Sequence, residues 1–138
     1  MRIKYLALLS CVLVPLTVSL ATASEQPPSV KGYPVEVALE KTLKGDYRWV
    51  QPTTELPLYV YEKDSPGKSN CLESCAQAWP PLEAGDSAGP VGDWTVLPRN
   101  DGSRQWAYKN QPVYLRFDDS ATDPQGYEPP KGWRFLAP

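Results

Sequence analysis

Short runs of alternating or β-branched residues, separated by turn signals, dominate the chain. Val35, Val37 and Leu39 alternate with polar or small residues, which predicts a half-buried strand over residues 35–40. Aromatic and β-branched runs predict six more strands, at residues 47–50, 58–61, 94–97, 105–108, 113–117 and 133–136. The pattern therefore predicts a mainly β fold. We expect a small single domain of short antiparallel strands, with a β-meander in its C-terminal half.

One segment has the sequence of a short helix. Asn70 with Glu73 three positions later forms a capping-box pattern, which predicts a helix over residues 71–78. Trp79 precedes two prolines, and a residue before proline is disfavoured in helical conformation. We therefore expect one short helix, and it carries a C-x-x-x-C motif.

The sequence contains a weak internal repeat, at about residues 57–65 and 112–120. Pro57-Leu58-Tyr59 recurs as Pro112-Val113-Tyr114, and Asp64-Ser65 recurs as Asp119-Ser120 at the same shift. Each copy is therefore a proline, an apolar residue and a tyrosine, followed by an aspartate five residues after the tyrosine. Common ancestry of two halves and convergence on one strand-turn design both explain this pattern.

Residues 1–23 have the pattern of a secretory signal peptide. Arg2 and Lys4 precede an apolar run over residues 5–20, and Ala21-Thr22-Ala23 is an A-x-A cleavage site. We expect cleavage after Ala23, then a flexible leader at residues 24–32 and the β-rich domain at residues 33–138. Two alternatives are an uncleaved membrane anchor and lipidation at Cys11, which follows a lipobox-like Leu-Leu-Ser. The expected location is outside the cytoplasm, periplasmic or secreted.

Composition narrows the range of functions. The net charge is −2, and it becomes −4 without Arg2 and Lys4, with 12 basic against 16 acidic residues. Such a protein lacks the basic surface that binds nucleic acid. The chain has no histidine, which excludes imidazole metal sites and catalytic sites that depend on histidine. We expect no cofactor and, after signal cleavage, no stable membrane span.

Two cysteines remain after residue 23, Cys71 and Cys75. An even cysteine count in an exported protein predicts a disulfide, and positions i and i+4 lie on one face of a helix. An isolated helix places such Cα atoms near the upper limit for a bridge. The alternatives are a redox-active pair and a soft-metal site. The metal site is disfavoured because the mature chain offers no methionine or histidine to complete the ligand shell.

Several spaced motifs resemble one family. Tyr59-Val60-Tyr61-Glu62-Lys63-Asp64 fits the pattern Y-x-[FWY]-x-x-D, and D-x-x-G-K-S, C-x-x-x-C and W-P-P elements follow it through Trp79-Pro80-Pro81. The segments from Arg99 to Gln105 and from Gln111 to Tyr114 extend the likeness toward the C terminus. The chain thus resembles the predicted secreted lipoproteins named for that motif, also called the secreted repeat of unknown function. The resemblance implies an exported β-rich domain, often repeated, with no established activity. The second copy departs from the motif at Arg116, where the pattern has an aromatic residue.

The motif residues are the candidate site: Tyr59, Tyr61, Asp64, Trp79, Tyr114 and Asp119. Aspartates at strand-to-turn junctions usually accept backbone N–H bonds, whereas two carboxylates facing one cleft would be a hydrolase site. Tyr59 and Tyr61 share one strand face, which favours a core patch over a ligand-stacking surface. The same choice, between core and a carbohydrate-binding face, applies to the tryptophans at positions 79, 94, 106 and 133.

These observations favour an exported, non-catalytic module of the periplasm or cell envelope, without catalytic or metal-binding residues. Its partner would be an unidentified envelope protein or a small ligand. The alternatives are a thiol-redox or electron-transfer accessory protein using Cys71 and Cys75, and a carboxylate-dependent hydrolase using Asp64 and Asp119.

Overall fold

The computed structural model describes residues 28–119 and 128–138. The predicted signal peptide, Cys11, the start of the leader and residues 120–127 lie outside this part. The described elements are seven strands and one helix: β1 (Ala38–Lys41), β2 (Tyr47–Val50), β3 (Tyr59–Tyr61), α1 (Ser74–Ala78), β4 (Trp94–Pro98), β5 (Arg104–Tyr108), β6 (Gln111–Pro112) and β7 (Trp133–Phe135).

The strands form three small antiparallel sheets. β1 pairs with β2, β3 pairs with β7, and β4, β5 and β6 form a meander. This arrangement confirms the predicted mainly β fold and the meander in the C-terminal half. In the pair of β3 with β7, Tyr59 lies opposite Phe135 and Tyr61 opposite Trp133, although the two strands are far apart in sequence.

The first strand begins later than predicted. Val35 lies in a turn and is 88% exposed, whereas Val37 is buried and Leu39 packs against the core. The turn closes through the bond that the Val37 N–H donates to the carbonyl of Pro34. The alternation therefore predicted the core-facing positions Val37 and Leu39 correctly but was wrong for Val35, because the residues before β1 bend instead of extending the strand.

The helix is shorter than predicted, and its predicted cap is wrong. It begins at Ser74, after Glu73, whose φ of 49° is left-handed and whose side chain makes no capping bond. Asn70 instead stabilises the preceding turn, because its amide donates to the carbonyl of Lys63 and to the hydroxyl of Ser65. Asn70, which the sequence pattern predicts as the helix cap, therefore bonds to the turn before the helix instead.

The predicted strand at residues 113–117 does not form a ladder, and β6 ends at Pro112. The segment is nevertheless bonded to a neighbour, since Leu115 N–H donates to the carbonyl of Pro80 and Phe117 N–H to that of Ala78. Pro80 and Pro81 have no N–H to return. Instead of a ladder with residues 80–81, an isolated bridge forms between Pro81 and Tyr114.

The end of the predicted leader packs on the domain. Val30 contacts the main core, and the ammonium of Lys31 lies 3.2 Å from the carboxylate of Asp93. Gly92 has a φ of 59°, and a side chain there would collide with the carbonyl of Gly32. Residues 30–32 therefore belong to the packed part of the chain.

Two apolar clusters form the core. The larger one lies around Trp49, Trp94 and Trp106. The smaller one contains Tyr59, Cys71, Trp79, Tyr114 and Trp133, so it holds three of the six motif residues, and Tyr61 packs against it. The tryptophans at positions 79, 94, 106 and 133 are all at most 9% exposed, which agrees with the core interpretation. Within residues 28–119 and 128–138, no helix has the length and apolarity to cross a membrane.

Candidate functional site

The two copies of the motif meet at their tyrosines. Tyr59 and Tyr114 exchange backbone bonds, each N–H donating to the other's carbonyl at 2.9 Å. Both side chains are fully buried. The two motif copies therefore lie antiparallel, with the tyrosine pair at their crossing point.

Each tyrosine hydroxyl bonds to the aspartate of the other copy. Tyr59 Oη donates to Asp119 Oδ2 at 2.6 Å, and Tyr114 Oη donates to Asp64 Oδ2 at 2.7 Å. A hydrogen bond to a carboxylate is among the stronger ones in proteins. The tyrosine of each copy thus bonds to the aspartate of the other copy and not to the aspartate five residues after it. We refer to these four residues as the crossed Tyr–Asp pairs.

Asp64 also fixes its own turn, as predicted for an aspartate at a strand end. Its Oδ1 accepts the backbone N–H of Asn70 at 2.7 Å. Partial burial raises the pKa of the Asp64 carboxyl, and the bonds from Asn70 and Tyr114 and the charge of Arg99 only partly offset that rise.

A chain of polar groups runs inward from Asp64 to a buried cation. Ser69 Oγ lies 2.7 Å from Tyr114 Oη, and Arg99 Nη1 donates to Ser69 Oγ at 2.9 Å. Arg99 is 8% exposed, and its Nη1 and Nη2 also donate to Gln105 Oε1 and the carbonyl of Cys71. Burial, together with the neighbouring Asp64 carboxylate, raises the pKa of Tyr114.

The order of donors along this chain follows from the charges at its ends. The carboxylate can only accept, so the single Tyr114 proton goes to Asp64, while Ser69 Oγ accepts from Arg99 and lies 3.2 Å from the carbonyl of Cys71. Hydroxyls thereby link the guanidinium to the carboxylate. The sequence motif from Arg99 to Gln105 contained this signal, but sequence reasoning used it only for the family resemblance and missed its structural role.

A stack of four side chains lies beside the crossed pairs. The rings of Trp79 and Trp133 are parallel within 10°, with centroids 3.8 Å apart. Tyr61 stacks on the other face of Trp133 at 4.4 Å, and the Arg116 guanidinium lies 5.8 Å from the Trp79 ring. Arg116 occupies in the second copy the position of Tyr61 in the first. The cation therefore covers a ring that an aromatic residue would otherwise cover.

Cys71 and Cys75 form a disulfide with a Cα–Cα distance of 5.1 Å. This Cα–Cα distance is shorter than the spacing expected for positions i and i+4 of a helix. The reason is that Cys71 lies before the helix, which begins at Ser74. Cys71 is fully buried against the aromatic cluster, whereas Cys75 is half-buried.

An open groove of about 460 Å³ lies at the turn of the first copy. Asp64 lines it, with charges of both signs from Glu62, Lys109 and Arg134. Asp119 is not among its lining residues, so this groove presents only one of the two motif carboxylates. Among the described residues, no group of three acidic, cysteine or histidine side chains could hold a metal ion.

Comparison with known proteins agrees with the motif-based resemblance. Neither a curated protein nor a solved structure matches the chain. Residues 53–83 match the model of a family described as a secreted repeat of unknown function, which confirms the resemblance to that family over this segment. The segment contains the first motif copy, Cys71, Cys75 and Trp79.

Proposed function

We propose that the protein is an exported, non-catalytic module of the periplasm or cell envelope, in which the family motif holds the two motif copies together. The observation that carries this proposal is the crossed Tyr–Asp pairing. Both motif carboxylates accept a short bond from a phenol hydroxyl of the other copy. Since both carboxylates are already bonded to tyrosines, the motif aspartates stabilise the fold rather than act on a substrate.

Export is supported by three observations: the signal-like residues 1–23, the family match and the disulfide. Disulfides persist in oxidising compartments outside the cytoplasm. Mass analysis of the exported protein should find an N terminus at Ser24. A lipidated terminus at Cys11 would contradict cleavage after Ala23.

Alanine substitution of the motif aspartates tests the non-catalytic role. Asp64→Ala and Asp119→Ala should each lower the free energy of unfolding by roughly 1–3 kcal/mol, because each removes the carboxylate to which a buried tyrosine donates. Asp118→Ala is a matched control. Its side chain is exposed and pairs with Arg116 at the surface, so its loss should cost less than about 1 kcal/mol.

The hydrolase alternative makes the opposite prediction. Asp64 lines the groove, so a substrate could reach it there. If Asp64 is catalytic, Asp64→Ala should keep the stability of the wild type while an ester- or glycoside-hydrolysing activity disappears. That result would overturn the proposal.

The unequal burial of the two sulfurs favours a thiol-redox protein as the second candidate. Cys75 is half-buried and Cys71 is fully buried. An external dithiol would reach Cys75 first, form a mixed disulfide there and release Cys71 as the thiolate. Its second thiol would then resolve the mixed disulfide. The reduction potential separates this candidate from a structural bridge.

A further inference from the structure

The groove at the first motif turn lies between two halves of the chain, which we define as residues 38–82 and 95–136. One wall belongs to residues 61–66 of the first half, and the other is the turn at residues 109–112 of the second half. Arg134 also lines it. Its volume of about 460 Å³ falls within the roughly 300–1,000 Å³ that is typical of small-molecule sites. The groove therefore has the size for a small ligand.

Backbone bonds hold the two walls of the groove in place. Ser65 and Lys68 close the motif turn, each N–H donating to the other's carbonyl at 3.1 and 3.0 Å. Gly67 N–H donates to the carbonyl of Asn110 at 2.7 Å, which joins this turn to the opposite wall. The walls are thus fixed before a ligand arrives, and a preformed site lowers the entropic cost of binding.

The groove carries charges of both signs that are not neutralised by the protein. Lys109 and Arg134 are exposed cations and Glu62 is an exposed anion, and within the described part of the chain none of the three forms an ion pair. Arg134 donates to a neutral amide at 2.8 Å, and the Lys109 ammonium lies 4.9 Å from the centroid of the Tyr108 ring. Neither contact neutralises the cation. The other lining carboxylate, Asp64, already accepts its crossed-pair bond.

The two halves repeat the same turns and bonds, so their positions can be compared. The residue two positions before the motif proline is left-handed in both, Glu55 with a φ of 57° and Asn110 with a φ of 65°. The ends of the halves also correspond. Leu82 N–H donates to the carbonyl of the residue before the second motif tyrosine, and Leu136 N–H to that of the residue before the first.

This comparison separates the residues that the fold requires from the groove charges. Both copies share the motif proline, tyrosine and aspartate. The three unpaired charges are each replaced by an uncharged residue at the equivalent position: Glu62 corresponds to Phe117, Lys109 to Thr54 and Arg134 to Pro80. The second copy thus builds the same left-handed turn and the same closing bond without these charges. The fold does not account for their meeting in one groove, whereas a charged ligand does.

The mixture of charges selects the class of ligand. A simple anion would be repelled by Glu62, and a simple cation by Lys109 and Arg134, since like charges brought together on binding cost free energy. A molecule with one charge of each sign satisfies both groups. Tyr61 and Pro66 also line the groove and offer apolar surface to the body of such a molecule.

We propose that this groove binds a small zwitterion, a free amino acid or short peptide. Its carboxylate is held by Lys109 and by Arg134, whose planar guanidinium suits a carboxylate, and its ammonium is held by Glu62. The inference deepens the proposed function and rests on it, because a non-catalytic module binds such a compound without changing it.

Nuclear magnetic resonance titration of the isotope-labelled protein tests the proposal. The probes are glycylglycine and phenylalanylglycine, each free, with its amine acetylated, and with its carboxylate amidated. At least one free dipeptide should bind saturably and shift the amide resonances of residues 62–65 and 109–111. Each blocked form of that dipeptide should bind about tenfold more weakly, the effect of losing one charged contact.

Variants that remove one charge assign the contacts. Lys109→Gln and Arg134→Gln should each weaken binding of the free dipeptide about tenfold and leave its amidated form unchanged. Glu62→Gln should weaken the free dipeptide to the same extent and leave the acetylated form unchanged. Lys63→Gln is the matched control and should bind like the wild type, because Lys63 is exposed and adjacent to Glu62 in sequence but does not line the groove.

Two results would overturn the proposal: no saturable shift at the groove with either free dipeptide, or a blocked form that binds as tightly as the free one. Mass analysis of the recovered dipeptide separates this inference from the proposed function. An intact dipeptide supports both. A dipeptide that binds and is then cleaved would overturn the non-catalytic role while supporting the binding site.

Discussion

Removal of the Tyr59 hydroxyl is the most direct perturbation of a crossed pair. Tyr59→Phe keeps the fully buried ring and deletes the 2.6 Å bond to Asp119. A hydrogen bond to a charged group contributes about 1.5–3 kcal/mol. Asp119 is half-buried, so water can partly solvate its carboxylate after the change, and we expect a loss near the lower end, about 1.5 kcal/mol.

Urea denaturation followed by tryptophan fluorescence measures this loss. The melting temperature should fall by roughly 5–8 °C. Tyr108→Phe is the matched control, because that ring is 4% exposed and its hydroxyl makes no hydrogen bond within the described residues. If Tyr59→Phe and Tyr108→Phe differ by less than about 0.3 kcal/mol, the crossed pair does not stabilise the fold.

Three further predictions concern the features around the crossed pairs. The Cys71→Ser, Cys75→Ser double variant should fold and melt several degrees lower, since the bridge closes a very small loop. In the native protein neither cysteine should be alkylated, and the potential should lie below about −300 mV, whereas a value near −200 mV would favour the redox candidate. Arg116→Ala should cost about 0.5–1 kcal/mol by uncovering Trp79, and Arg116→Tyr should restore that loss; equal stability of both variants would refute the stacking role. Because the pKa of Asp64 is raised, its ionisation favours the unfolded chain. In urea titrations, the stability advantage of the wild type over Asp64→Ala should be greatest below the ordinary value of 3.8 and shrink as pH rises through the folded-state pKa. An advantage that grows with pH would contradict that shift.

Local patterns predicted the elements whose partners are close in sequence. The β4–β5–β6 meander follows from β-branched and aromatic runs joined by an Asp-Gly turn, where Gly102 has a φ of 84°. The burial of the tryptophans follows from their size and apolarity. In both cases the information lies within a few residues of the chain.

The features that could not be predicted from sequence depend on neighbours that are distant along the chain. The segment at residues 113–117 has strand composition, but its neighbour is Pro80-Pro81, which cannot donate to a ladder. The equivalent neighbour in the other half is β7, with N–H groups available, and there a ladder forms. The Tyr and Asp spacing was visible in sequence, but its use between copies depends on the antiparallel crossing of Tyr59 and Tyr114.

Double-mutant cycles test most directly whether the motif joins the two copies. The free energy of unfolding is measured for Tyr59→Phe combined with Asp119→Ala, and for Tyr59→Phe combined with Asp64→Ala, with each single variant. The first pair should show a coupling energy of about 1 kcal/mol or more, and the second pair should be additive within about 0.5 kcal/mol. Additivity of Tyr59 with Asp119, or stronger coupling of Tyr59 with the Asp64 of its own copy, would contradict the crossed pairing.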